Sequence, residues 1–267
     1  MKRRTFIEKT AMASGMLLSF PVIAGCENEA MTHYSVTDLH VHTTRDFTIE
    51  KILEIGKKHQ VNFGVVEHPA PWALKNDKDL ENYINTMRKY PVYLGLQPTY
   101  PGWSKNYSAE LISRLDYILM DPQMVPQGNG KTWQIWEFDT YIDDTEDFMK
   151  RYMDYTLEVL NKEPVDVFAW PLFLPVCIAR DYYSLWTEER MQQIITAAKN
   201  RNIAIEINDM AHTPHLEFIE KAKSQGLKFV FGSDCRNDNA GRLAYCRKIT
   251  QECKLQSDDF YLPERKS

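Results

Sequence analysis

The sequence predicts one barrel-like α/β domain with parallel strands, and three observations support this fold class. The chain has 267 residues, of which 43% are hydrophobic, enough apolar material for one sizeable core. Short runs rich in Val, Ile, Leu and Phe alternate with longer segments of helical period, as expected for β/α units around a buried parallel sheet. Neither an internal repeat nor a low-complexity segment interrupts this alternation.

We predict seven strands, one for each apolar run. They cover residues 36–41, 63–67, 92–97, 117–120, 165–170, 203–208 and 228–232. Helices are predicted near 48–60, 78–90, 108–114, 145–162, 187–201, 214–226 and 240–254, with Thr48, Thr145 and Thr187 as N-caps. Seven parallel strands joined by right-handed crossovers can close as a barrel or stay open. Both arrangements place chemistry beyond the carboxyl ends of the strands.

The longest irregular connection is predicted at 121–144. It contains Gly128-Asn129-Gly130 and then three large aromatic residues, Trp133, Trp136 and Phe138. Long connections of this kind are often lids over a site, so we expect these residues to lie near the functional end of the strands.

The first 25 residues predict an export signal. Lys2-Arg3-Arg4 precedes an apolar stretch at 11–24 that is too short to span a bilayer, and the Arg pair resembles a bacterial twin-arginine signal. Ile23-Ala24-Gly25-Cys26 resembles a lipoprotein signal-peptidase box. Residues 26–34 would then form a tether after lipidated Cys26, on a protein held at a membrane by its lipid alone, in the periplasm or at the cell surface. The alternative is an ordinary cleavage site with an incidental cysteine.

The charge balance argues against nucleic acid as a partner. The formal net charge is −5, and removal of the basic signal peptide makes the remaining chain more acidic still, so its surface repels a polyanion. None of the five cysteines stands in a CxxC pair, which gives no indication of a zinc knuckle or a redox motif. We therefore expect a small-molecule substrate.

Two histidines end the first predicted strand. Alternation along a strand puts His40 and His42 on one face, and two neutral imidazoles so placed form half of a divalent-metal site. An isolated pair can equally be a hydrogen-bonded structural pair. Other strand ends carry further polar side chains, namely Glu67, His68, Glu206, Asn208, His212, His215 and Asp234. Five of the seven histidines thus fall at one rim, which favours a functional site.

These residues resemble the polymerase and histidinol phosphatase (PHP) family. The match is carried by DLHVHTT at 38–44, VVEHPA at 65–70 and FGSD at 231–234. The resemblance implies that residues 35–267 form a distorted TIM-like (β/α)7 barrel that hydrolyses phosphate esters with one to three metal ions. It also implies that His40, His42, His68 and Asp234 are metal ligands.

The chain departs from the family pattern at four places. Gln97 stands where the family has a bridging glutamate, Trp170 where it has a histidine before proline, and Arg236 where its last motif ends in histidine. Asp121-Pro122 lies where the fourth strand would supply another histidine. A neutral amide cannot bridge two cations, so we expect one Zn²⁺ or Mn²⁺ rather than three ions. It would be held by His40, His42 and Asp234 with Glu67, His68 or Gln97 in support, and would activate a water and polarise a substrate oxygen.

Candidate catalytic residues follow from the same rim. Glu206 or His212 is expected to carry a proton. Arg236 and Arg45 would bind an anionic substrate in place of missing metal charge, although Arg236 can instead pair with Asp234 or Asp238.

Aromatic and amide side chains supply the candidate substrate contacts. All six tryptophans lie in or after predicted strand ends, so an aromatic pocket follows if they converge, suited to sugar rings or aromatic ligands. Ordinary loop packing is the alternative. The predicted substrate-binding residues are Arg45, Gln97, Trp133, Trp136, Trp170, Asn208 and His215.

Three functions are compatible with these residues. The first is a metal-dependent hydrolase of PHP type in the cell envelope, acting on a phosphorylated or carbohydrate substrate. The second is a degenerate PHP-like barrel that binds a ligand without catalysis. The third is a carbohydrate-active hydrolase, lyase or isomerase on the same scaffold.

Overall fold

The computed structural model describes residues 36–128 and 130–266. The predicted signal peptide at 1–25, the tether at 26–34 and Cys26 lie outside the described residues, so they stay predictions. Within the part of the chain that is described, no helix combines the length and the hydropathy needed to cross a bilayer.

Seven parallel strands close into a barrel, which confirms the predicted fold class. They are β1 (Thr37–Val41), β2 (Asn62–Glu67), β3 (Tyr93–Leu96), β4 (Tyr117–Met120), β7 (Val167–Phe168), β8 (Ala204–Asn208) and β9 (Phe229–Gly232). Two further strands, β5 (Met124–Gly128) and β6 (Lys131–Gln134), lie between β4 and β7 in the chain and form a separate sheet. The barrel order is β1-β2-β3-β4-β7-β8-β9, and β9 returns to β1 where Phe231 pairs with Asp38. Each barrel strand falls within one residue of a predicted apolar run or inside it.

Helices surround the barrel. They are α1 (Ile49–His59), α2 (Asp77–Met87), α3 (Ala109–Ser113), α4 (Thr145–Lys162), α5 (Tyr182–Leu185), α6 (Glu188–Asn200), α7 (Leu216–Ser224) and α8 (Ala244–Glu252), with 3-10 turns at Trp103–Asn106, Val176–Asp181 and Ser257–Asp259. Thr187 caps α6 as predicted, by accepting a hydrogen bond from the Arg190 backbone. The predicted cap of α4 is wrong by one residue, because the Asp144 carboxylate accepts the first free N–H groups and leaves Thr145 inside the helix.

The barrel interior is filled below the functional end. Tyr117 is buried at its centre and donates a hydrogen bond from its hydroxyl to the Leu39 carbonyl at 2.6 Å. Gly64 and Gly95 leave room for this phenol, since a Cβ at Gly64 would lie 2.4 Å from its oxygen and one at Gly95 would lie 2.7 Å from its ring. The interior is therefore a packed core, and the side chains beyond the strand ends lie on top of it.

The connection at 121–144, predicted as irregular, contains an antiparallel hairpin of β5 and β6. Met124 pairs with Gln134 and Val125 with Trp133, and the pairing shifts register before Gly128. Pro126 and the glycine at 128 obscure the alternation that identifies a strand in the sequence, which explains why the hairpin was not predicted.

The first strand is irregular at the point that matters most for the site. Its pairing with β2 shifts register between Asp38 and Val41. Leu39 lies in the interior cluster and Val41 in the layer between barrel and helices, while His40 contacts the interior carboxylate of Glu206. Two successive side chains thus face the interior, and His40 and His42 both reach the same carboxylate on β9's end.

Candidate metal centre

His40, His42 and Asp234 form a buried cluster that can bind a metal ion. One ligand atom from each lies within 4.8 Å of the others. The two histidine Nε2 atoms lie 3.2 and 3.3 Å from the same oxygen, Oδ1 of Asp234. The carboxyl ends of β1 and β9 are neighbours in the barrel, which is why residues so distant in the sequence meet.

The donor atoms of this cluster suit a metal ion. Both Nε2 atoms are buried and have no hydrogen-bond partner, although each lies close to Asp234. Two imidazole nitrogens and a carboxylate oxygen are ligands that Zn²⁺ and Mn²⁺ accept. A buried polar atom without a partner costs free energy unless something else satisfies it. The cluster therefore fits one divalent ion.

Glu206 fixes the orientation of His40. Its Oε1 accepts a hydrogen bond from Nδ1 of His40 at 2.6 Å, and both side chains are fully buried. In the neutral ring this bond places the proton on Nδ1 and leaves a lone pair on Nε2, the atom that faces Asp234. The other oxygen, Oε2, accepts from the backbone N–H of Trp170 at 2.7 Å and from Asn208 at 3.1 Å.

Gly232 makes this buried carboxylate possible. A Cβ at this position would lie 1.8 Å from Oε1 of Glu206 and 2.9 Å from Cβ of His40. No larger side chain fits at the end of β9 while Glu206 keeps its position. The glycine of the FGSD segment is thus explained by the second carboxylate of the site.

Asp234 has a strained backbone conformation, and its carboxylate forms an ion pair with Arg236. Its φ of 47° lies in the left-handed region, which is uncommon for a residue with a side chain and is often found at functional sites. Arg236 donates from one guanidinium nitrogen to Oδ1 at 2.7 Å and to the backbone carbonyl of Asp234 at 3.0 Å. Arg236 therefore pairs with Asp234, as one of the two sequence interpretations expected.

The electrostatics of the three residues differ. Burial alone would raise the pKa of Asp234, but the facing imidazoles of His40 and His42 outweigh it and hold that pKa well below its usual range. Burial lowers the pKa of His42 to about 3, so its ring is neutral and ready to act as a ligand. Burial would also lower the pKa of His40, but the charges of Asp234 and Glu206 raise it well above 6.5. A metal ion must therefore displace a proton from His40.

Glu67 and His68 lie beside the cluster rather than in it. His68 stacks on His42 with ring centroids 5.0 Å apart, and its Nδ1 donates to the backbone carbonyl of Gln97 at 3.1 Å. Glu67 accepts the backbone N–H of His68 at 2.8 Å. Neither belongs to the three-residue group found among the described residues. They support the wall that carries His42.

A cavity of about 750 Å³ opens above this cluster. Its aromatic wall consists of Trp72, Trp136, Phe138, Trp170 and Phe173. Its polar side chains include His68, Gln97, Asp121, Gln123, Gln134, Glu137, Asp234 and Arg236. The predicted substrate residues Gln97, Trp136 and Trp170 therefore line the same space as Asp234, the one member of the metal cluster in the described lining.

Other predicted residues lie elsewhere in the structure. Trp133 packs edge-on against Phe148 of α4, with ring centroids 5.4 Å apart, and does not line the cavity. Alternation along β6 explains this placement, since Trp133 faces the helix while Trp136 lies beyond the strand end. Arg45 is exposed and is absent from the described cavity lining.

The residues predicted after β8 mainly hold structure together. Asn208 is fully buried, donates to Glu206 and accepts the Ala211 N–H at 2.8 Å. His212 is exposed and stacks on Tyr245 with ring centroids 4.8 Å apart. His215 lies 3.2 Å, through Nδ1, from the Tyr182 hydroxyl. None of these three residues lines the described cavity.

Asp121 and Gln123 are two of the cavity residues that were not predicted as site residues. Both are nine-tenths buried or more, and Asp121 accepts a hydrogen bond from Nε2 of Gln97 at 2.5 Å. Asp121 directly follows β4, so the rule that located Glu67 and Asp234 at strand ends would have found it. Its place in a segment expected to be irregular concealed it.

Comparisons with known proteins leave the chain without an assigned family. No family model and no curated protein matches it. One chain of the cryo-EM structure of an archaeal ribonuclease P with mature tRNA is 14% identical, with a TM-score of 0.41, covering 84% of this chain and 90% of that chain. The HpcH/HpaI aldolase from Desulfitobacterium hafniense DCB-2 is 9% identical, with a TM-score of 0.36, covering 82% and 94%. Both similarities are low, so a functional proposal depends on the geometry of the site.

Proposed function

We propose that this protein is a metal-dependent hydrolase of the PHP type that acts in the cell envelope and uses one divalent ion, Zn²⁺ or Mn²⁺. The observation that carries the proposal is that the Nε2 atoms of His40 and His42, which have no hydrogen-bond partner, both lie next to Oδ1 of Asp234. A second carboxylate, that of Glu206, accepts a hydrogen bond from Nδ1 of His40.

His40, His42 and Asp234 would hold the ion. When bound, a divalent ion there supplies a Lewis acid that polarises a substrate oxygen. Glu206 keeps the proton of His40 on Nδ1, so that Nε2 stays available. These contacts favour a positioning role for Glu206 over the proton transfer that the sequence suggested.

Asp121 is a stronger candidate for proton transfer than His212. Burial raises the pKa of Asp121 well above 3.8, against the opposing effects of His40 and of the Gln97 hydrogen bond. Asp121 also lines the cavity, whereas His212 stacks on Tyr245 outside it. A carboxyl group whose pKa is raised by burial is suited to exchange a proton with a substrate.

Arg236 would orient an anionic substrate. One of its nitrogens is occupied by Asp234, and the side chain lines the cavity while staying partly exposed. The remaining guanidinium N–H groups can therefore meet a phosphate or carboxylate oxygen next to the metal cluster.

Metal analysis of protein purified without chelator tests the proposal. The native protein should carry one Zn²⁺ or Mn²⁺ per chain, and His40→Ala and Asp234→Asn should lose it. His59→Ala is the matched control, because His59 is a half-buried histidine on α1 that belongs neither to the metal cluster nor to the cavity lining. The loaded protein should hydrolyse p-nitrophenyl phosphate or an acylated sugar, and both cluster variants should not. A protein that takes up no transition metal at full occupancy contradicts the proposal.

A ligand-binding protein without catalysis is the second candidate. Gln97 favours it, since this amide donates to Asp121 where the resembling family has a bridging carboxylate. In that case metal content would be substoichiometric, and ligand affinity would be equal in the native protein and in Asp234→Asn. The third candidate, a carbohydrate-active hydrolase, lyase or isomerase, is favoured by the aromatic wall of the cavity.

A further inference from the structure

Four residues that line the cavity each carry a buried polar side-chain atom without a hydrogen-bond partner in the protein. The atoms are Oε1 of Gln97, Oδ1 of Asp121, Nε2 of Gln123 and Nε1 of Trp170. The exposed fractions of these side chains' residues are 2, 4, 4 and 9%. Buried polar groups in folded proteins nearly always have partners, from protein, water or ligand. Four such atoms around one space therefore indicate a site that a polar ligand completes.

From this arrangement we infer that the cavity contains a subsite for a neutral carbohydrate, formed by Gln97, Asp121, Gln123 and Trp170 beside the metal cluster. Gln97 and Asp121 present acceptor oxygens, while Gln123 and Trp170 present donor N–H groups. A hydroxyl group both donates and accepts, so a ring with several hydroxyls satisfies both kinds of atom at once. Phosphate oxygens mainly accept and would face two unsatisfied oxygens.

The orientation of these groups is fixed by the surrounding protein. Nε2 of Gln97 donates to the other oxygen of Asp121 at 2.5 Å, so Oε1 is the atom that remains for a ligand. Trp170 donates its backbone N–H to Glu206 and packs edge-on against Phe173, with ring centroids 4.8 Å apart. A preorganised set of this kind binds without an ordering cost.

The aromatic side of the cavity suits the apolar faces of a sugar ring. Trp136, Trp170 and Phe173 line it, and Trp72 and Phe138 stand at the mouth with exposed fractions of 47 and 88%. Aromatic faces pack well against the C–H groups of a pyranose. Large exposed aromatic side chains at the mouth of a cavity are expected for a binding surface rather than for packing.

The charges at this subsite argue against a phosphate as the group bound there. Among the described lining residues, Arg236 is the one arginine or lysine, and one of its nitrogens is already paired with Asp234. A phosphate pocket usually offers several cations or backbone N–H groups. Away from the metal cluster, the lining is neutral or acidic, which matches an uncharged ligand.

This inference deepens the proposed function and rests on it for one point, that the bound sugar carries the group presented to His40, His42 and Asp234. Binding itself does not require the metal. The test can therefore be made with chelator-treated protein, so that a failure of metal chemistry and a failure of sugar recognition are separate results.

The experiment is a titration of chelator-treated protein with neutral saccharides. Methyl glucoside, methyl galactoside, methyl mannoside, maltose and cellobiose are added, with inorganic phosphate as the charged probe. Tryptophan fluorescence and saturation-transfer NMR report binding. We expect saccharides to bind, and phosphate not to compete with them for this subsite. Gln123→Leu and Trp170→Phe should each weaken saccharide binding about three- to tenfold, the loss for one neutral hydrogen bond.

Gln251→Leu is the matched control, because Gln251 is an exposed glutamine on α8. Circular dichroism of every variant checks the fold. Trp170→Phe keeps an aromatic ring for packing, so that a weaker affinity reports the loss of the indole N–H. The inference is overturned if none of the saccharides binds, or if Gln123→Leu and Trp170→Phe bind them as well as the native protein. If protein purified without chelator holds no metal and still binds the saccharides, the proposed hydrolase is contradicted and the inferred subsite is not.

Discussion

Replacing Glu206 by Gln should switch the tautomer of His40 and weaken metal binding. In the native site Oε1 accepts from Nδ1 of His40, while Oε2 accepts from the Trp170 N–H and from Asn208. A glutamine keeps those last two bonds if its oxygen takes the place of Oε2. Its amide N–H then faces His40, whose Nδ1 must accept. The ring proton moves to Nε2, the atom that would otherwise hold the metal.

The expected magnitude follows from these contacts. Loss of a carboxylate that supports a metal-ligating histidine lowers metal affinity about 10- to 100-fold, or ~1.4–2.7 kcal/mol. Glu206→Gln leaves the buried donors paired, so unfolding should change little. Glu206→Ala leaves three donors unpaired, and at about 1–3 kcal/mol for each it should destabilise the fold by ~3 kcal/mol or more.

Zinc titration calorimetry and nitrogen-15 NMR of the histidine rings measure the two effects. Glu217→Gln is the control, since Glu217 is exposed at the start of α7. The reasoning fails if Glu206→Gln binds zinc within about twofold of the native affinity. It also fails if His40 keeps its proton on Nδ1.

Three further predictions concern protonation and packing. Zinc affinity should rise with pH through the neutral range. The facing carboxylates of Asp234 and Glu206 outweigh burial and raise the pKa of His40, so zinc binding should release a proton. Calorimetry in buffers of different ionisation enthalpy measures the number of protons released, and a value of zero would contradict the prediction. Asp38 accepts hydrogen bonds from three backbone N–H groups at 3.0–3.2 Å. Asp38→Asn should therefore lower the free energy of unfolding, measured in urea, by about 1–3 kcal/mol, whereas the control Asp154→Asn at an exposed position should lower it by less than about 0.5 kcal/mol. Equal effects of the two substitutions would contradict a stabilising role for these three hydrogen bonds. Gly64→Ala places a Cβ 2.4 Å from the Tyr117 hydroxyl and should cost about 1–3 kcal/mol in thermal unfolding, part of which Tyr117→Phe should restore; an unchanged Tm in the single variant would count against it.

The barrel was predictable because burial on both faces leaves a strong signal in the sequence. Parallel strands such as Phe229–Gly232 are apolar at nearly every position, and each ends in polar residues that must gather at one rim. That rule alone brings His40, His42 and Asp234 together. No alignment is needed for it.

The roles of individual site residues were not predictable, because each role depends on the direction in which the side chain points from its strand or loop. Glu206 and Asp234 both follow apolar strand residues, and only coordinates distinguish the carboxylate that faces both Nε2 atoms from the one that supports a ring. Trp133 and Trp136 lie three residues apart, yet one packs on α4 and the other lines the cavity. The hairpin that contains Trp133 and ends before Trp136 has a proline and a register shift, which hide its period from the sequence.

The β5–β6 hairpin lies between β4 and α4, outside the barrel order, and it contributes Gln134 and, just beyond its second strand, Trp136 to the cavity. It supplies no member of the His40, His42 and Asp234 cluster. Exchange of residues 124–136 for a hairpin of another shape would therefore reshape one wall of the cavity and leave the three candidate metal ligands in place.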